Sequence, residues 1–107
     1  GVSELWVVVA TNEGRMLVFP LSEVPELARG KGNKLIGIPS ARAAAREEFV
    51  VGLCVVSEGD TLQVTSGGHY RNFKWTDLEH FKGERGRRGG KLPKGYQRVT
   101  QLSVVGD

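Results

Sequence analysis

Apolar residues along this chain fall in short runs, each closed by Gly, Asn, Asp or Ser, which predicts strands joined by many turns. Leu5 to Ala10 and Met16 to Phe19 read as one hairpin across Thr11-Asn12-Glu13-Gly14-Arg15, where Asn and Gly supply the freedom a tight turn needs. Phe49 to Val56 and Thr61 to Thr65 read as a second pair across Ser57-Glu58-Gly59-Asp60, followed over Gly67-Gly68 by Tyr70 to Trp75. A last strand is expected within Gln97 to Val105, and one short helix over Ala41 to Glu48, with Ser40 as its N-cap after Pro39. Trp6-Val7-Val8-Val9 and Phe49-Val50-Val51 do not alternate, so both faces of those strands must be covered, as in stacked sheets or propeller-like blades.

The chain also repeats itself. Thr11, Gly14, Phe19, Ser22, Glu23, Val24 and Leu27 find Thr65, Gly68, Phe73, Thr76, Asp77, Leu78 and Phe81 at a constant offset of 54. Lys31-Gly32-Asn33-Lys34-Leu35-Ile36 then corresponds to Lys94-Gly95-Tyr96-Gln97-Arg98-Val99 at an offset of 63, so the second copy carries an insertion of nine residues. A unit of hairpin, short acidic turn and basic glycine loop reads as one blade of a repeat array, with approximate blades at residues 1–52 and 53–107. Two blades alone leave open edges.

Charge changes this picture, because it is local. Residues 82–98 carry seven cations, five glycines and Glu84, a net +6, while the whole chain is only +3, which leaves the remainder at −3. A positive charge confined to one flexible loop is better matched to a polyanion than to general solubility. The candidate contacts are Lys82, Arg85, Arg87, Arg88, Lys91, Lys94 and Arg98, joined by Arg29, Lys31 and Lys34 of the first basic loop. Arg87 and Arg88 can fork onto phosphate oxygens while the lysines act as mobile point charges. Glu23 and Glu26 lie near enough in sequence to compete for the first loop. Tyr96 alone is inadequate as a stacking platform, so duplex is favoured over single strand.

Other chemistry finds no support. His69 and His80 are isolated, the single Cys54 lies in an apolar run and reads as a buried thiol, and together they make no zinc set. Glu47-Glu48 and Asp77-Glu79 read as capping and solubilising residues, and Trp6 and Trp75 as packing residues. Gly30-Lys31-Gly32-Asn33-Lys34 lacks the spacing and hydroxyl of a nucleotide-binding loop. No apolar run reaches the roughly 18 residues of a membrane span, and no secretory leader is evident. A cytoplasmic location is expected, and the start at Gly1, directly before a strand, suggests a piece of a longer protein.

Gly14-Arg15 with Phe19-Pro20, ARGKGNKLIGIPSA over residues 28–41 and GERGRRG over residues 83–89 resemble the end of the A subunit of bacterial DNA topoisomerase IV, a type IIA topoisomerase family whose nearest relative is the gyrase A subunit. The resemblance covers essentially the whole chain. It implies an all-β, propeller-like β-pinwheel fragment of about two four-stranded antiparallel blades, with strands exchanged between neighbours and a basic rim that binds and bends duplex DNA. Arg87-Arg88-Gly89-Gly90-Lys91 matches the middle of the gyrase wrapping box QRRGGKG, with Gly86 and Leu92 in place of the flanking Gln and Gly.

The function so implied is a non-catalytic DNA-binding and bending module that presents a segment to the cleavage core of an ATP-dependent type II topoisomerase. Supercoil relaxation, decatenation and chromosome segregation follow from that role. The family's DNA-cleaving tyrosine belongs to an upstream region, so Tyr70 and Tyr96 are not expected to cut DNA. No cofactor is expected here; ATP and magnesium belong to the parent enzyme. Implied partners are double-stranded DNA, the upstream blades and breakage-reunion region of the same polypeptide, and the B subunit of topoisomerase IV, with no membrane, in a nucleoid-associated bacterial setting. The competing expectation is a propeller-like module that binds an acidic protein through the same basic loop.

Overall fold

The computed structural model describes residues 5–23, 36–84 and 86–105. Strands β1 (Leu5–Thr11) and β2 (Arg15–Pro20) form the expected hairpin, in register from Trp6 opposite Pro20 to Ala10 opposite Met16. Gly14 makes the turn at φ +84°, and a Cβ there would stand 2.8 Å from the Cα of Gln97. β2 runs into a single 3-10 turn, Leu21–Glu23.

The next strand departs from expectation. β3 (Val50–Ser57) does not pair with β4 (Thr61–Ser66); it lies antiparallel to β1, from Leu5 opposite Ser57 to Ala10 opposite Gly52. The Ser57–Asp60 turn, tied by Ser57 N–H donating to Asp60 Oδ2 at 2.9 Å, therefore carries the chain from one sheet to the other. The true second hairpin is β4 with β5 (His69–Phe73), across Gly67-Gly68. Inside the basic loop lies a strand the residue pattern did not announce, β6 (Gly90–Lys91), which pairs with β2. β7 (Gln101–Val105) pairs with β4 on the side away from β5.

Two sheets result, β3-β1-β2-β6 and β5-β4-β7. The first draws β1 and β2 from one repeat unit and β6 from the other. The division drawn between residues 52 and 53 falls inside β3, so each sheet is not one continuous half of the chain. The repeat itself is visible as equivalent roles: β1 and β4 are central, β2 and β5 complete their hairpins, and β3 and β7 flank.

The short helix α1 covers only Ser40–Ala44, with Pro39 rather than Ser40 at the N-cap. Pro39 needs no N–H, and its carbonyl accepts from both Arg42 and Ala43. The helix stops because Arg46 turns left-handed at φ 60°, which points the chain back toward β1. A second helical turn, α2 (Trp75–Leu78), follows β5 and is fastened by Lys74 N–H donating to Asp77 Oδ2 at 3.1 Å.

The core lies between the sheets. Val8, Ala10, Met16 and Val18 of the first pack on Leu62, Val64, Phe73 and Leu102 of the second, with Leu78, Phe81, Leu92 and Val99 closing the ends. Each buried Leu or Phe contributes about 1.5–3 kcal/mol relative to exposure. The two outer faces differ. That of the first sheet is apolar, with Val7, Val9, Leu17 and Phe19 covered by Leu21, Ile36 and Ile38, but Leu5, Leu53 and Val55 are 43%, 49% and 44% exposed. That of the second presents Thr61, Gln63, Thr65, Asn72, Gln101 and Ser103, with Gln63 Nε2 donating to Asn72 Oδ1 at 3.4 Å and the exposed Tyr70 opposite Thr65.

Candidate nucleic-acid interface

The basic loop is held down by backbone before any side chain is considered. Gly89, at φ +79°, approaches β2 so closely that a Cβ would meet the Met16 carbonyl oxygen at 2.5 Å. Leu92 N–H donates to the Gly14 carbonyl at 2.8 Å, and Gly37 N–H to the Arg87 carbonyl at 2.6 Å. The segment is therefore a seated loop, and its side chains have fixed neighbours.

Arg88 is the clearest case. Its Nη1 and Nη2 donate to Oε2 and Oε1 of Glu48, both at 2.7 Å, and Nη1 also reaches the Gly37 carbonyl at 3.1 Å. Glu48 is fully buried and accepts a further bond from Thr11 Oγ1 at 2.9 Å, while Arg42 Nε stands 3.6 Å away. Asn12 fixes the backbone beneath, accepting from Phe49 N–H at 2.7 Å and donating to the Glu47 carbonyl at 3.1 Å. Burial pushes the Glu48 carboxyl pKa up, but the bonds from Arg88 and Thr11 and the charges of Arg88 and Arg42 outweigh it, leaving the pKa below the usual value. Glu48 is thus an internal anchor rather than a solubilising residue, and Arg88 binds a carboxylate of its own chain.

Arg87 is exposed and forks onto Glu84, at 3.0 and 3.2 Å. Lys82 is more confined: its Nζ lies 4.4 Å from the centroid of Trp6 and 4.8 Å from that of Trp75, and 4.0 Å from Glu79 Oε2. The two indoles meet at 5.3 Å, so Trp75 and Trp6 are packing residues that share one cation. Cys54 is half-buried, and burial pushes its thiol pKa up. Among the described residues no carboxylate lies within ion-pair distance of Lys91, Lys94 or Arg98. Arg29, Lys31, Lys34 and Arg85 lie outside the described residues.

These cations do not form one cluster. Lys82 and Arg87 border a groove with His80 and Phe81. Arg88 and Lys91 border another, at the β1–β2 turn, a cleft of about 390 Å³ shared with Glu13, Arg15, Arg42 and Gln97. Arg98 continues it past Glu13 and Ser66. Arg15 and Arg42 were not singled out from the sequence. Arg15 is recognisable only once β6 is known, because it stands directly opposite Lys91 in the β2–β6 pair.

Two stacked antiparallel sheets, a strand exchanged between repeat units and a glycine-rich cationic loop define a propeller-type blade pair. Residues 5–57 match the family described as DNA gyrase C-terminal domain, beta-propeller. The chain is 52% identical over 103 residues to the A subunit of DNA topoisomerase 4 from Pseudomonas aeruginosa, covering 96% of this chain and 14% of that protein. It is 43% identical over 94 residues to the protein of the same name in Escherichia coli K12, covering 88% of this chain and 12% of that one. The solved E. coli ParC C-terminal domain superposes with a TM-score of 0.81 at 38% identity, over 100% of this chain and 42% of that chain. The chain belongs to the C-terminal-domain family of the DNA topoisomerase IV A subunit. It spans about one-seventh of the length of these curated relatives, 14% in the first case.

Proposed function

We propose that this chain is a non-catalytic duplex-DNA-binding and bending module of a type IIA topoisomerase, which holds a DNA segment for the cleavage core and so influences supercoil relaxation and decatenation. The observation that carries the reading is the cleft at the β1–β2 turn, where Arg15, Arg42, Arg88 and Lys91 converge with Arg98 alongside. Lys91, Lys94 and Arg98 are the proposed phosphate contacts with side chains available, joined by Arg29, Lys31, Lys34 and Arg85. Arg87, paired among the described residues only with Glu84 at the surface, joins these contacts, whereas Lys82 and Arg88 contribute chiefly by fixing the loop, Lys82 over the two indoles and Arg88 on the buried Glu48.

The half-exposed Leu5, Leu53 and Val55 on the first sheet's outer face support a second element of the proposal. They are the surface on which the preceding blades of the same polypeptide pack, in an enzyme completed by its breakage-reunion region and by the B subunit of topoisomerase IV. Among the described residues there is no group of three His, Cys, Asp or Glu side chains placed to hold a metal. ATP and magnesium are assigned to other parts of that enzyme. No helix among the described residues is long and apolar enough to cross a membrane, and the proposed location is the bacterial cytoplasm, at the nucleoid.

Titration with short and long duplexes at several salt concentrations tests the reading. Contact with about six phosphates gives a log–log salt slope of about −5. Affinity should rise with duplex length and fall when Lys91 and Arg98 are both changed to Ala. A shallow slope, with length-independent binding and preference for an acidic protein, would instead assign the loop to a protein partner.

A further inference from the structure

The cleft at the β1–β2 turn has a composition that packing alone does not explain. Arg15 and Lys91 are direct cross-strand partners, a like-charge placement that is normally destabilising. Arg15 is held there by its Nη1 donating to the Gly89 carbonyl at 3.2 Å. Arg42 of α1 and Arg88 of the basic loop bring two more guanidiniums to the same cleft. Against these four cations stand two carboxylates. Glu48 lies buried beneath and serves Arg88 and Arg42. Glu13 projects from the turn itself, and its Oε1 meets Arg42 Nη2 at 3.1 Å, with both side chains about two-fifths exposed at 43% and 41%.

A carboxylate and a phosphodiester present similar oxygen pairs to an arginine fork, so one can stand in for the other. The buried ion pair cannot be released cheaply, but the Glu13–Arg42 pair can, because exposed pairs are weak. We propose that this cleft is a seat for a single nucleic-acid phosphate, made by Arg15, Arg42 and Lys91, and that Glu13 occupies it as an internal competitor until the phosphate displaces it. The proposal rests on the duplex-binding reading and deepens it. Arg15 and Arg42 become binding residues, the Gly89 carbonyl positions the first and Glu48 the second, and Glu13 sets how tightly the segment is held.

The test is a set of four variants of this chain titrated with duplex DNA across a salt series. Glu13→Gln should tighten binding about two- to fivefold, the range an exposed ion pair spans. Arg42→Gln should weaken binding and make the salt slope shallower by about 0.9, the share of one phosphate. In Glu13→Gln/Arg42→Gln the gain from the first change should vanish, whereas Glu58→Gln, an exposed carboxylate on the 57–60 turn, should leave affinity within twofold. A gain that persists without Arg42, or that Glu58→Gln reproduces, would show a general charge effect and overturn the seat while leaving duplex binding intact. Failure of the unaltered chain to bind duplex would overturn the underlying reading and the seat with it.

Discussion

Replacing Arg88 by Ala separates the two roles an arginine in a basic loop can have. In this fold the change leaves Glu48 buried with one hydroxyl donor at 2.9 Å and a guanidinium nitrogen at 3.6 Å, after losing two bonds of 2.7 Å. Breaking a buried pair from one side costs about 3–5 kcal/mol. The Arg88 side chain is 33% exposed, so water screens part of the interaction and about 2–4 kcal/mol is the fitting range. For a domain of this size that corresponds to a fall in Tm of about 10–20 °C. Thermal and urea melts followed by circular dichroism read it directly. Arg88→Met combined with Glu48→Leu should recover most of the loss, because an apolar pair of similar volume carries no stranded charge. The double variant then measures what Arg88 contributes to DNA affinity without unfolding. A single Arg88→Ala variant that melts within about 2 °C of the parent, well under 1 kcal/mol, would show that the guanidinium faces solvent and that its phosphate role stands as the sequence suggested.

Two further outcomes follow from the same contacts. The folded Glu48 carboxyl titrates below its unfolded value of about 4.3, so the stability it contributes is present above that value and is lost as pH falls through the folded pKa. Urea midpoints should therefore drop on acidification below about pH 5, and Glu48→Gln, less stable at neutral pH, should show a flatter profile there. Gly89→Ala places a Cβ in a left-handed backbone 2.5 Å from the Met16 carbonyl oxygen. It should destabilise by about 2 kcal/mol or more, and an unchanged melting curve would mean that the loop does not sit on β2.

What was legible in the sequence was local. Gly14 between two apolar runs specifies the β1–β2 hairpin, and the offset of 54 announces two equivalent hairpins. The partner of β3 was not legible, because Ser57-Glu58-Gly59-Asp60 has the composition of a hairpin turn whether it returns a strand to its neighbour or passes it to another sheet. β6 has two residues and no alternation to detect. Among the cations, sequence could locate the charge but not its partners. Glu48 lies 40 residues from Arg88, and Lys82 meets Trp6 only after both sheets have assembled. The buried carboxylate had one faint signal: Glu48 directly precedes the run Phe49-Val50-Val51, where a charge is out of keeping with its surroundings.

The exchange of β6 imposes an order on biosynthesis. β1 and β2 leave the ribosome before the second unit; Glu48 waits 40 residues for Arg88, and the edge of β2, met at Val18 by Lys82, is not fully paired until residues 90–91 arrive. At about 5–20 residues per second, that interval is roughly 4–14 s. During it the nascent hairpin is an unfinished template, receptive to any extended segment nearby. Completion of the first unit is thus a late, all-at-once event, governed by the arrival of the second.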